Sequence, residues 1–315
     1  VNDIATPAAS APQPQEWVRQ PERGSLALVR AMSMLSLRLG RSLSRVLLHI
    51  TIAYFWIRPG AAGAHIRRFQ QRALSRRPTR RGLYSHLMAF GTCTQDRAFL
   101  LNDRLADFSV EVPNEPLLLR MLQRGTGCFL MGAHMGSFEI LRAFGEQHPG
   151  VKVAMVMYPE NARKIGSVLA AINPEHVPEI IPLGSIDAML QVRSHLDQGA
   201  FVGMLADRTL GDEPVVSLDF LGSPAQFPLG PWRAAALLRR PVVFFAGLYC
   251  GDNRYRIVLE QLADFSDTTG AEAESAIHEA MVRYVRILEE LCRSHPYNWF
   301  NFFDFWHELP APKVN

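Results

Sequence analysis

A chain of 315 residues, 48% hydrophobic and 20% charged, has ordinary globular composition and is long enough for one large α/β domain or two. Its four cysteines, Cys93, Cys128, Cys250 and Cys292, are far apart, with no C-x-x-C pair and no histidine cluster at zinc spacing, which argues against a disulfide framework or structural metal and fits a reducing, cytoplasm-facing location. The net charge of +3 conceals a division: Arg19 to Arg104 holds sixteen arginines against Glu22, Asp96 and Asp103, so this segment carries +13 and the remainder −10. Such a basic third suits either nucleic acid or an anionic membrane.

In chain order, residues 1–20 open with the Pro/Ala-rich "VNDIATPAASAPQPQ" and read as a disordered leader. They show no cleavable signal peptide, because the first apolar run comes too late and lacks a small-residue cleavage site. Residues 21–81 form a basic helical segment. At about 100° per residue, Arg23, Arg30, Arg38, Arg41 and Arg45 fall within one arc of roughly 80°, opposite Leu28, Met32, Leu35, Leu39, Leu43 and Val46. The helix runs into the apolar "VLLHITIAYFWI", Val46 to Ile57, which carries Tyr54 and Trp56 near one end and is followed by Arg58. Spanning a bilayer takes about 20 apolar residues, so this run lies in the interface or packs as a core helix. A basic, aromatic-flanked amphipathic helix is the interfacial pattern, and it favours a peripheral or monotopic place on an anionic membrane over nucleic acid. Arg58 to Arg81 is expected to bridge this segment to the core.

Residues 82–315 read as an α/β domain. "EPLLLRMLQRG" predicts a helix, "CFLMGAH" a buried strand, "SFEILRAFGEQ" a helix, "VKVAMVMY" a strand and "ENARKIGSVLAAI" a helix. The strand "EIIPLG", the helix "IDAMLQVRSHLDQG" and the strand "AFVGMLAD" follow, then a long loop, the helix "PWRAAALLRR" and the strands "PVVFFAGLY" and "RYRIVLEQL". This alternation predicts a mainly parallel central sheet flanked by helices, with ligands beyond the carboxyl ends of its strands.

One such strand end is "FLMGAHMGSFEIL", Phe129 to Leu141. His134 and Glu139 would stand about 140° apart within one helix, so they meet only if His134 lies in a turn before the helix. A neutral imidazole takes a proton from an alcohol, and a carboxylate on its other nitrogen fixes the tautomer and stabilises the imidazolium. Glu139 is expected to be that carboxylate.

The H-x-x-x-x-E stretch "HMGSFE", then "YPENARKI", "ADRTLG", "DFLGSPAQFPLGPWRAA", "RRPVV" and the tail "HPYNWFNFFDFW" stand in an order that resembles the lysophospholipid acyltransferase superfamily, most closely its lipid A late acyltransferase branch, over roughly Leu26 to Leu309. The resemblance implies transfer of an acyl group from a thioester donor, commonly acyl carrier protein, onto a hydroxyl of a lipid or glycolipid at the cytoplasmic face of the bacterial inner membrane. It implies His134 as base, Glu139 as its partner and no cofactor. The tail lacks the arginine and lysine that end typical lipid A enzymes and looks more like the branch associated with aryl-polyene and xanthomonadin-type pigment clusters, which leaves the acceptor open.

Further candidates follow from the matched motifs. Arg208, at the end of "AFVGMLAD", suits a phosphate or a developing oxyanion, and Asp207 either touches the reacting groups or braces the loop. Arg163 and Lys164 suit the acceptor's anionic head group or the donor's phosphopantetheine phosphate. In the loop Asp219 to Pro231, the residues Phe220, Leu221, Gly222, Phe227, Pro228 and Gly230 form a stiff apolar wall that either contacts the acyl chain or covers the sheet. The tail Tyr297 to Trp306 is too aromatic to be free, and its expected role is core packing. Two other functions fit less well. An esterase or thioesterase lacks a G-x-S-x-G nucleophile elbow here, and a non-catalytic membrane or nucleic-acid adaptor has no use for a base.

Overall fold

The computed structural model describes residues 26–307 except 149, 177 and 210–212. The expected leader and Arg23 lie outside the described residues. The described residues begin with three helices, α1 (Leu26–Ile57), α2 (Gly60–Leu74) and α3 (Arg80–Leu100). The remaining elements are β1 (Ser109–Glu111), α4 (Glu115–Arg124), β2 (Cys128–Gly132), α5 (Phe138–Glu146), β3 (Val153–Met157), α6 (Pro159–Ile172), β4 (Glu179–Pro182), α7 (Ile186–Asp197) and β5 (Phe201–Leu205). After them come β6 (Val215–Phe220), β7 (Ser223–Pro228), α8 (Gly230–Leu237), β8 (Pro241–Tyr249), β9 (Arg254–Asp264) and α9 (Gly270–Ser294).

Seven strands form one sheet in the order β1-β9-β8-β2-β5-β3-β4. The only antiparallel pairing in it is β8 with β9, so β8, β2, β5, β3 and β4 all present their carboxyl ends on one rim. Their side chains alternate between two cores: along β2, Phe129 and Met131 pack with α2, α7, α8 and α9, while Cys128 and Leu130 pack with α3, α4 and α5. Both faces are covered, as a mainly parallel sheet requires, and this is the architecture the alternation predicts.

Three regions go beyond the expected alternation. The bridge at Arg58 to Arg81 is α2 and the start of α3, and α9 is a long helix that the alternation did not assign. The long loop contains the β6–β7 hairpin, whose two-residue turn, Leu221 and Gly222, has φ of 52° and 79°. Left-handed φ at both turn positions is the arrangement that matches the twist of the flanking strands.

Helix α1 is kinked at Gly40 (φ 77°, ψ 168°) and packs against α3 and α6. It presents its apolar side outward: Met32, Leu35, Leu39, Leu43, Val46, Ile50, Tyr54 and Ile57 are exposed, Ile50 by 67%. Of the expected arginine arc, Arg30 and Arg38 face solvent, but Arg41 and Arg45 turn inward. Arg41 donates from Nε (2.8 Å) and Nη2 (2.9 Å) to Asp96 on α3, and Arg45 donates from Nη2 (3.0 Å). Tyr255 on β9 adds its hydroxyl at 2.8 Å. Asp96 is wholly buried, and the attraction between buried charges repays their loss of water only when hydrogen bonds satisfy them. Among the described residues no helix is long and apolar enough to cross a membrane.

Removing one partner from such a buried group leaves the other charges uncompensated, at a cost of about 3–5 kcal/mol. Asp96→Ala is therefore expected to lower the free energy of unfolding obtained from urea titration by that amount, with a lower midpoint, and to expose the α1–α3 contact to proteolysis. An unchanged midpoint would show that apolar packing alone seats α1.

Candidate active site

The site is assembled at the carboxyl ends of β2 and β5. Beyond Gly132 the chain makes a tight turn centred on His134, in which the Met135 amide donates to the Ala133 carbonyl at 2.6 Å; turns of this three-residue kind are common at strand ends. Gly136 follows with φ 65°. A Cβ there would collide with the Gly247 carbonyl, and a Cβ on Gly247 would collide with that of Ser137, so two glycines let the turn lie against β8. The Ser137 amide donates to the Gly247 carbonyl at 2.8 Å, and α5 starts directly afterwards. The glycines and the N-cap serine thus leave His134 at the strand end, as the sequence predicts.

The carboxylate that meets His134 is Asp207, not Glu139. His134 Nδ1 lies 2.7 Å from Asp207 Oδ1, and the His134 amide donates to Oδ2 at 2.9 Å. Trp299 Nε1 (3.1 Å) and Asn301 Nδ2 (2.8 Å) also donate to Oδ2. Glu139 sits in the first turn of α5, ion-paired with Arg97 Nε of α3 at 2.7 Å and accepting from Ser137 Oγ at 3.4 Å. The physical reason is the direction of α5, which carries Glu139 towards α3, whereas Asp207 emerges from β5, hydrogen-bonded beside β2.

Burial raises the Asp207 carboxyl, but His134, Arg208 and the donated bonds outweigh it and hold the group at about 2. An ionised carboxylate only accepts, so Nδ1 must carry a proton and the neutral ring keeps its lone pair on Nε2. Burial and the neighbouring Arg208 lower the imidazole below its ordinary value, against an upward pull from Asp207. The ring is therefore neutral at pH 7 and 27% exposed, which are the properties of a base that a substrate can reach.

Arg208 donates from Nε to Asn301 Oδ1 (2.6 Å) and from Nη2 to the Phe300 carbonyl (3.3 Å), with its guanidinium over the Phe303 ring. Burial lowers it to about 10, partly offset by Asp207, so it remains a cation at neutral pH. Asp207, Arg208, Thr209 and Gln226 line a small cleft with Phe303, Phe305 and His307.

Arg163 and Lys164 are exposed on α6, the helix that leaves β3 on the same rim. The hairpin residues are placed differently from an open wall. Phe220 and Phe227 are fully buried and Leu221 nearly so, and Phe220 packs on Trp299, Phe305 and Trp306. Pro228 is buried at the end of β7, while Gly222 and Gly230 are exposed. This is the covering arrangement. Among the described residues, no three acidic, histidine or cysteine side chains are grouped to hold a metal ion.

The tail, for which the sequence suggests core packing, also holds polar residues of the site. Asn298, Trp299 and Asn301 are all buried. Met135 and Trp299 form an antiparallel bridge; the Phe300 amide donates to the His134 carbonyl (2.7 Å) and the Gly136 amide to that of Asn298 (2.8 Å). The Asn298 side chain accepts from the Tyr249 amide at 2.7 Å and donates to its carbonyl at 3.1 Å, tying the tail to β8. The available signal was two amides set within an aromatic run, because buried amides need partners.

In comparison with known proteins, the family model of the bacterial lipid A biosynthesis acyltransferases matches residues 88–308, a span that includes both strand ends and the tail. None of the curated proteins compared matches the chain.

The depressed Asp207 pKa has a sign in stability. Its folded value of about 2 lies below the ordinary 3.8, so its contribution is fully present above about pH 4 and is lost as the pH falls through 2. The stability of Asp207→Asn is expected to fall less steeply than that of wild type between pH 4 and 2 in urea titrations. Parallel slopes would show that the carboxylate is not held ionised.

Proposed function

The chain belongs to the bacterial lipid A biosynthesis acyltransferase family and is an acyltransferase that acts on lipid; we propose that it moves an acyl chain from a thioester donor, acyl carrier protein, to a hydroxyl of a lipid or glycolipid acceptor, with His134 as general base. The observation that carries this reading is the 2.7 Å bond between His134 Nδ1 and a buried, acceptor-only Asp207, which leaves Nε2 as the basic nitrogen. The acceptor hydroxyl gives its proton to Nε2 as its oxygen attacks the thioester carbonyl carbon. Asp207 stabilises the imidazolium that forms, and the carbonyl oxygen becomes an oxyanion. When the intermediate collapses, the carbon–sulfur bond breaks and the sulfur leaves with the proton returned from His134. No net proton is consumed.

Arg208 supplies a cation beside this centre, suited to the oxyanion or to a phosphate on either substrate. Arg163 and Lys164 stand on the rim for the donor's phosphopantetheine phosphate or the acceptor head group. Glu139 supports the turn by fastening α5 to Arg97, and the hairpin apolar residues support the tail. A missing base typically costs about 10²–10⁴-fold. His134→Ala and Asp207→Asn are expected to lose rate on that scale, and Glu139→Gln far less, in assays with acyl carrier protein carrying a labelled chain and extracted membrane lipid. Full loss in Glu139→Gln alongside an active Asp207→Asn would reassign the acid.

The proposed place of action is the anionic cytoplasmic face of the inner membrane, with α1 lying in the interface. Its outward apolar row supports this, with Arg30, Arg38, Arg58, Arg80 and Arg81 exposed along it and beyond its end. Attachment is then chiefly apolar, because Arg41 and Arg45 are committed to Asp96. A side chain taken fully out of water contributes about 1.5–3 kcal/mol, more than the roughly 1 kcal/mol of an arginine near an anionic surface. Changing Leu43, Val46 and Ile50 to Gln is expected to move the protein into the soluble fraction, whereas 1 M salt alone (a Debye length of about 3 Å) leaves wild type in the pellet. Release of wild type by salt would overturn the apolar account.

A further inference from the structure

Asn301 bonds to both charged groups at the β5 end. Its Nδ2 donates to Asp207 Oδ2 at 2.8 Å, and its Oδ1 accepts from Arg208 Nε at 2.6 Å. The two partners fix which end of the amide is which, since a carboxylate only accepts and a guanidinium only donates. Asn301 is itself 3% exposed and stands on a strand of tail bonded on both sides: Trp299 donates to Asp207, and His86 of α3 lies 2.8 Å by Nε2 from the Trp299 carbonyl. The amide therefore has little room to turn away.

We propose that Asn301 is a positioning residue whose amide holds Asp207 and Arg208 apart, keeping the carboxylate on His134 and the guanidinium on the tail. The inference rests on the reading of His134 as base and names what maintains it. Asp207 and Arg208 are adjacent in sequence and opposite in charge. Without a spacer, the guanidinium fork closes on the carboxylate bidentately. Asp207 would then be shared, and a cation would stand nearer the imidazole. An amide prevents this because it offers a donor and an acceptor side by side with no net charge. Neither an aspartate nor an aliphatic residue of the same size does both.

Among the described residues, the titratable groups that face this network come from α9, α3 and the far side of the cleft. From α9, Tyr284 and Cys292 lie near Asp207, both kept neutral by burial, with the Tyr284 hydroxyl donating to the Gly132 carbonyl at 2.9 Å. From α3, burial lowers His86 to about 4, so it too is neutral above pH 5. Across the cleft, His307 is exposed. Within that set, only Arg208 brings a full positive charge close to the pair.

The spacer role predicts opposite shifts for two substitutions. Asn301→Leu keeps the branched shape and removes both bonds, so Arg208 closes on Asp207 and the His134 titration moves to lower pH by about one unit, a tenfold change in its neutral fraction on the acid side. Asn301→Asp keeps an acceptor for Arg208 but sets a second carboxylate beside Asp207, and moves the titration to higher pH. The readout is the rate of diethyl pyrocarbonate modification at the His134 peptide, mapped by mass spectrometry between pH 5 and 8 on the full chain without substrate, with the acid limb of acyl transfer measured alongside. Adding Arg208→Met to Asn301→Leu is expected to abolish the downward shift. Coincident midpoints, or shifts in the same direction, in folded variants would reduce Asn301 to packing. If Asn301→Leu does not fold, the isosteric Asn301→Asp carries the test alone, with an upward shift required. Because modification needs no turnover, shifts without acyl transfer in wild type would sink the proposed function and spare Asn301, and transfer without shifts would do the reverse.

Discussion

A carboxylate without access to water organises the rim that carries His134. Asp207 accepts four hydrogen bonds, from the His134 amide and ring and from the side chains of Trp299 and Asn301. Burying an ionised carboxylate costs several kcal/mol even after relaxation, and charge-assisted bonds contribute about 1.5–3 kcal/mol each, so a full set of donors is what keeps it charged. Those donors come from the end of β2 and from the tail, while the acid comes from the end of β5. The same bonds that keep Asp207 ionised therefore tie three distant parts of the chain into one site. The tail is fixed in turn by Asn298 on Tyr249 and by His86 on the Trp299 carbonyl, which relays the constraint to β8 and α3.

The second wholly buried acid, Asp96, obeys the same rule with a different outcome. Its partners are two arginines and a tyrosine hydroxyl, and it has no imidazole at an open edge, so its charge is spent on holding α1. The next residue, Arg97, pairs with Glu139 of α5. Consecutive residues of a helix point about 100° apart, which lets one turn of α3 grip α1 on one side and the site-bearing helix on the other. The acid five residues after the histidine thus belongs to this brace, and the acid 73 residues away belongs to His134.

What the sequence disclosed and what it hid divide along the range of the interactions. The strand ends bearing His134 and Asp207–Arg208 were legible because apolar runs stopped by glycine or a charge are local signals, and the parallel order follows from alternation. The sequence points to Glu139 rather than Asp207 as the partner of His134, because spacing within a segment says nothing about which neighbouring strand delivers a carboxylate. Trp299 and Asn301 reach Asp207 across more than ninety residues of chain, and in a single sequence an amide in an aromatic run looks the same whether it fills a core or orients an acid. The β6–β7 hairpin was hidden by its prolines and glycines, which mark a loop as readily as an edge ribbon.

Helix α1 shows the limit of a helical wheel. Periodicity separates an arginine side from an apolar side but does not say which faces the protein, and the usual rule, apolar inward, is reversed here. The reversal is set by Asp96. Rotating α1 to bury Leu43, Val46 and Ile50 would gain apolar burial at about 25 cal/mol per Å², yet it would withdraw Arg41 and Arg45 and leave a wholly buried carboxylate with Tyr255 alone. In water the two terms are of comparable size, each several kcal/mol. Against the proposed membrane surface the first term vanishes, because the apolar row is out of water in either orientation. The buried salt bridge then decides the rotation of α1 unopposed, so Asp96 acts as the key that points the apolar face outward while fastening the helix to the domain that carries His134.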